Sequence, residues 1–176
     1  DPLVPPWSRA GWWDRTVDWI AAQLPGTEPL EVEQVRAWGI STVLRVSDPH
    51  GTRHWFKGVC EHFGREVAIT ETLHRAAPGF VAPVLAADRD EYRMLLGDLP
   101  DVAAGEPASH VTAYPRLREL QRALGDAADE LVAAGAVVRP LSEVPAAFAA
   151  VLADPEVAEW HDCSPERVAQ VVAWVE

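Results

Sequence analysis

Between Val32 and Leu96 the chain runs in short β-type segments that a single helical pattern interrupts, and few folds accommodate that order. The β-type runs are Glu33–Trp38, Thr42–Val46, Arg53–Val59, Val81–Ala86 and Tyr92–Leu96. Ser47-Asp48-Pro49-His50-Gly51 joins the second and third as a hairpin, because Asp-Pro starts a turn and glycine tolerates positive φ. The charged turn Asp88-Arg89-Asp90-Glu91 separates the last two. After the third run, Phe63, Val67, Thr70 and Leu73 share one face of a helix expected over His62–Ala77, which Pro78-Gly79 ends. The order β-β-β-α-β-β predicts an α+β fold built on a five-stranded antiparallel sheet with one helix after its third strand.

The flanks are helical. Trp13, Val17, Ile20 and Leu24 recur at helical spacing before Pro25-Gly26 and predict one buried face. Trp13 and Trp19 are expected to staple this first helix to the sheet, since tryptophans more often anchor packing than touch a ligand. Beyond a polar connector at Asp101–Ser109, Leu117, Leu120, Leu124, Ala128 and Leu131 predict one long helix ending near Gly135. Val144–Leu152 and Pro165–Val175 predict two more. The expected division is 1–99 and 100–176. Asp1 is not a methionine and the last apolar pattern stops unfinished at Glu176, so the chain is expected to be part of a longer protein.

The 176 residues carry a formal charge of −12 and are 48% apolar, enough for a sizeable core. Such a surface repels nucleic acid and anionic membranes, so neither is an expected partner. Cys60 and Cys163 form no metal-knuckle or disulfide pattern, and no apolar stretch or leader suggests a membrane or secretory route. The expected location is the cytoplasm. His50, His54, His62, His74 and His110 lack ligand spacing. His161, Asp162 and Cys163 lie too close in sequence to present nucleophile and base to one substrate.

The third β-type run places Lys57 near its end, and Glu66 opens the helical pattern that follows. A strand lysine oriented by a helix glutamate is how kinase-like enzymes grip the α and β phosphates of ATP. The segments Pro5-Pro6-Trp7, Gly11-Trp12-Trp13, Glu33–Trp38, Val43–Val46, Trp55-Phe56-Lys57, Arg65-Glu66 and Met94–Leu99 together resemble the N-terminal part of bacterial aminoglycoside-phosphotransferase-like enzymes. The specific motifs run to Leu99. The resemblance implies a protein-kinase-like small lobe followed by the start of a helical lobe. It also implies transfer of the γ-phosphate of ATP, with Mg²⁺, to a hydroxyl of a small molecule.

Under that resemblance Lys57 contacts the phosphates and Glu66 holds its ammonium group. The Gly39–Thr42 loop covers the phosphates through backbone N–H groups and the Ser41 hydroxyl, with Thr42 beside it. Gly97, Asp98 and Leu99 form the hinge, where the Gly97 carbonyl and Leu99 N–H meet adenine. Three departures qualify the implied chemistry. Gly39 stands alone where protein kinases carry a glycine-rich loop, and Trp55 stands where they use a small residue beside adenine. No His-Gly-Asp loop with a following Asn, and no later Mg²⁺-binding Asp motif, occurs in the sequence. The expectation is therefore the ATP-binding part of a phosphotransferase that does not catalyse by itself; a non-catalytic nucleotide- or partner-binding module is the alternative.

Overall fold

The computed structural model describes residues 4–98 and 107–154 together with positions 166 and 170. The chain divides into two compact units, Asp1–Ala136 and Val137–Glu176. Leu99 and His161–Cys163 lie outside the described residues; of the helix expected over Pro165–Val175, positions 166 and 170 are described, both helical.

The first unit is α+β. Helix α1 (Trp12–Gln23) precedes strands β1 (Glu31–Ala37), β2 (Ser41–Ser47) and β3 (Arg53–Val59). Helix α2 (Arg65–Ala76) then leads to β4 (Val84–Asp88) and β5 (Arg93–Gly97). All pairings are antiparallel, and the strand order is β1-β2-β3-β5-β4, so β3 is central. The β2–β3 register is set at the predicted turn. Asp48 Oδ1 accepts hydrogen bonds from the His50 and Thr52 amides at 2.9 and 2.8 Å, and Gly51 takes φ +83°.

Period two gives this sheet two apolar faces, and a sheet with two apolar faces needs two covers. Leu44, Val46, Phe56 and Leu95 pack with Ile20 and Leu24 from the α1 segment. On the other face Val59 and Met94 pack with Val67 of α2. The buried side of α1 differs from expectation by one residue. Trp12 and Trp19 meet the Phe56 ring edge-on at centroid distances of 6.2 and 5.9 Å, while Trp13 is exposed. Thr16 and Ile20 lie on that same stripe and are buried, so Trp12, Thr16, Trp19 and Ile20 form the i, i+4, i+7, i+8 face.

Three further expectations are corrected. The fourth strand starts at Val84 rather than Val81, because Val81 makes only an isolated bridge with Pro78. The helix expected from His62 is a 3-10 turn, Glu61–Phe63, that passes through Gly64 into α2. The long helix after the sheet is two: α3 (Pro107–Ala123) and α4 (Ala128–Ala133), separated by the 3-10 turn Gly125–Ala127. Glycine weakens a helix interior, and the break falls at Gly125. Helix α3 also begins inside the stretch expected as connector. In the second unit, α5 (Val144–Leu152) has the predicted bounds.

Candidate functional site

Lys57 occupies the middle strand of the sheet, opposite Val43 on β2 and Met94 on β5. Alternation sends Phe56 into the α1 core and Lys57 to the α2 face. The chain leaves β3 at Val59, turns through Glu61–Phe63 and returns as α2, whose first turn carries Glu66. Lys57 Nζ and Glu66 Oε1 form an ion pair, with the two side chains 30% and 34% exposed. The ammonium is thus oriented by one carboxylate and still reachable from solvent.

Gly64 sets how closely α2 approaches the sheet. A Cβ at this position would lie 2.4 Å from the Tyr92 ring, so a glycine is required for steric reasons, at an ordinary helical φ of −54°. Tyr92 in turn adopts φ +52° just before β5. This contact places the first turn of α2, and with it Glu66, over Lys57.

The other predicted residues separate into distinct roles. Ser41 is buried, and its Oγ accepts a hydrogen bond from the Trp38 indole N–H. Thr42 is fully buried opposite Gly58, on the α1 face and away from Lys57. Its hydroxyl donates to the Arg36 carbonyl at 3.1 Å and accepts from Gln34 Nε2 at 3.0 Å. The Thr42 hydroxyl is thus engaged on the face away from Lys57, whereas Ser41, opposite Val59, shares the Lys57 face. The Gly39 and Ile40 amides, by contrast, donate to no acceptor among the described residues. The Trp7 indole N–H steadies this loop at the Trp38 carbonyl, 3.1 Å away.

At the far end of β5, Gly97 donates its N–H to the Pro83 carbonyl at 2.7 Å and packs against the Pro83 ring, where a Cβ would approach to 3.3 Å. Asp98 has a side-chain role that sequence reasoning missed. Its Oδ1 accepts from the Trp55 indole N–H at 3.1 Å and its Oδ2 from Arg53 Nε at 3.2 Å. Arg53, Trp55 and Lys57 share one face of β3 by alternation, so the signal was present in the period-two pattern. Only the pairing of Trp55 with Leu96 on β5 brings Asp98 within reach.

Among the described residues, no group of three or more His, Cys, Asp and Glu side chains is placed to hold a metal ion, and Glu66 is engaged by Lys57. Among the same residues no helix is long and apolar enough to cross a membrane. Near the β4–β5 turn, burial raises the Asp88 carboxyl. Hydrogen bonds from Arg93, at 2.8 Å for the closer nitrogen, and from the Glu91 amide outweigh it and hold Asp88 below its ordinary value. Neither protein-family models nor curated proteins give a match to this chain.

Proposed function

We propose that residues 1–99 are the ATP-binding small lobe of a kinase-like, small-molecule phosphotransferase, as the resemblance to aminoglycoside-phosphotransferase-like enzymes implies. The observation that carries the reading is the Lys57–Glu66 pair, formed between the central strand and the first turn of α2. In this reading the Lys57 ammonium neutralises charge on the α and β phosphates, and Glu66 removes the rotamer freedom of its four-carbon stem. The free amides of Gly39 and Ile40 add donors that require no particular side chain. The Thr42 hydroxyl drops out of the site, because it donates to Arg36 and accepts from Gln34 on the opposite face, while Ser41 keeps its O–H for the phosphates.

Chemistry at the γ-phosphate needs a group that orients the acceptor hydroxyl and ligands for Mg²⁺, and the sequence carries neither the His-Gly-Asp loop nor the later Asp motif that supply them in the enzymes it resembles. The proposed role of this chain is therefore nucleotide binding within a larger catalytic protein, with a small hydroxylated acceptor held elsewhere. The Trp55–Asp98 hydrogen bond favours a second reading, a nucleotide- or partner-binding module without chemistry. It fixes a large indole two positions from Lys57, on the side where adenine would lie.

Thermal unfolding tests the proposal. Mg-ATP is expected to raise the melting temperature saturably, and Lys57→Ala is expected to abolish that rise while leaving the unliganded melting temperature within a few degrees. Absence of any ATP response in the unsubstituted chain removes the reading. A response that survives Lys57→Ala moves the nucleotide away from this pair.

A further inference from the structure

The sheet face opposite Lys57 carries a separate cavity of about 70 Å³, lined by the Pro6–Arg9 segment, the start of α1, the end of β3 and the entry to β5. One water requires roughly 10–15 Å³ by the same measure, so the space admits several waters or one small ion. Thr16 lines it, is 1% exposed, and has no hydrogen-bond partner for its Oγ1. A buried hydroxyl without a partner destabilises the fold unless water or a ligand supplies the bond.

The charge around this hydroxyl is cationic. Arg9, Arg15 and Arg93 line the cavity, and Glu91 is the single carboxylate among its lining residues. Arg93 is engaged by Asp88 and stacks over the Trp19 ring at 4.7 Å. Arg9 and Arg15 have no carboxylate partner among the described residues, and the side-chain bond of Arg15 is a long 3.5 Å contact to the Ala10 carbonyl. In a chain of net charge −12, that places two uncompensated guanidinium groups beside one unsatisfied hydroxyl. Helix α1 adds to this, because its N-cap is Gly11 and no side chain caps its first N–H groups.

We propose that this cavity binds a phosphate-sized oxyanion, with Thr16 donating its hydroxyl hydrogen and Arg9 and Arg15 closing over the outer oxygens. Arginine suits the task because its forked N–H groups match tetrahedral oxyanions. The site is independent of the Lys57 pair, since the sheet lies between them.

The test uses inorganic phosphate on the whole chain without nucleotide, against chloride at equal ionic strength. Phosphate is expected to raise the melting temperature saturably and to shift the amide resonances of Trp12–Thr16. Thr16→Val keeps the shape and removes the hydroxyl. It should unfold at the same or higher temperature in chloride, yet bind phosphate about tenfold more weakly. Arg15→Gln should weaken phosphate similarly, and Lys57→Ala should leave it unchanged. The proposal is overturned if phosphate and chloride act alike, if Thr16→Val binds phosphate as before, or if Lys57→Ala removes the response. Failure of ATP binding leaves this result standing, because the two measurements report opposite faces.

Discussion

The two faces of the sheet differ in what covers them. Under α1, Leu44, Val46, Phe56 and Leu95 meet Ile20, Leu24 and two tryptophans in a large apolar cluster. Under α2 the buried cluster is smaller, Val59, Val67 and Met94, and beside it the strand turns out Arg53, Trp55 and Lys57, each with a polar partner. A single strand, β3, supplies both, residue by residue in alternation. The apolar core and the polar pairs are thus carried by adjacent residues with almost no overlap, and substitutions one position apart should separate them.

The largest effect is expected at Phe56. Phe56→Ala leaves a cavity beneath two tryptophans and should cost about 3–5 kcal/mol, whereas Lys57→Ala should cost about 1 kcal/mol or less, its ion pair being partly exposed. Denaturant unfolding of the two variants checks this, and equal losses would erase the distinction between the faces. Next come the adjacent tryptophans of α1. Trp12→Ala should cost about 3 kcal/mol through lost contact with Phe56, and Trp13→Ala about 0.5 kcal/mol as a surface change; a reversed order would mean that α1 docks in the register read from sequence.

Gly64→Ala sharpens the α2 side. The added methyl meets the Tyr92 ring and should cost about 2 kcal/mol. Because the same contact places Glu66, the ATP-induced rise in melting temperature should shrink as well; loss of stability with an unchanged ATP response would show that Glu66 is positioned by other contacts. The smallest effect is at Asp88, whose native carboxyl is held below its ordinary value of 3.8. Its contribution is present above that value and is lost as pH falls through the lowered native one. Asp88→Asn should therefore be the less stable protein at neutral pH, with the gap closing below about pH 4. Melting temperatures across that range decide it, and a gap that persists in acid would assign the difference to packing.

Much of the fold was legible because it rests on local chemistry. The run Arg53–Val59 alternates, Asp48 and Gly51 satisfy a tight turn, and Pro78-Gly79 stops a helix; each requires only neighbours in sequence. The helix break at Gly125 was visible as a weak residue, but whether one glycine interrupts a helix depends on what packs around it. The docking side of α1 was less legible. With Trp12 and Trp13 adjacent, either fits an apolar stripe, and Phe56 on a distant strand selects the first.

The candidate site divides the same way. Lys57 and Glu66 stand nine positions apart, and a strand followed by a helix returning over it brings them together, so their pairing could be anticipated. Thr42 could not be placed without the register Thr42↔Gly58, which turns its hydroxyl to the opposite face. Nor could Asp98, whose carboxylate role depends on β3 lying beside β5, strands separated in sequence by α2 and β4. By itself the sequence determined the order of strands and helices as far as β5, their turns and the alternation of residues along each strand, since these follow from backbone sterics and periods of two and 3.6 residues. Tertiary structure alone decided that the Thr42 hydroxyl is spent inside the sheet and which tryptophan is core. It also decided which arginines surround Thr16, because those outcomes depend on contacts between groups that the chain brings together only when it folds.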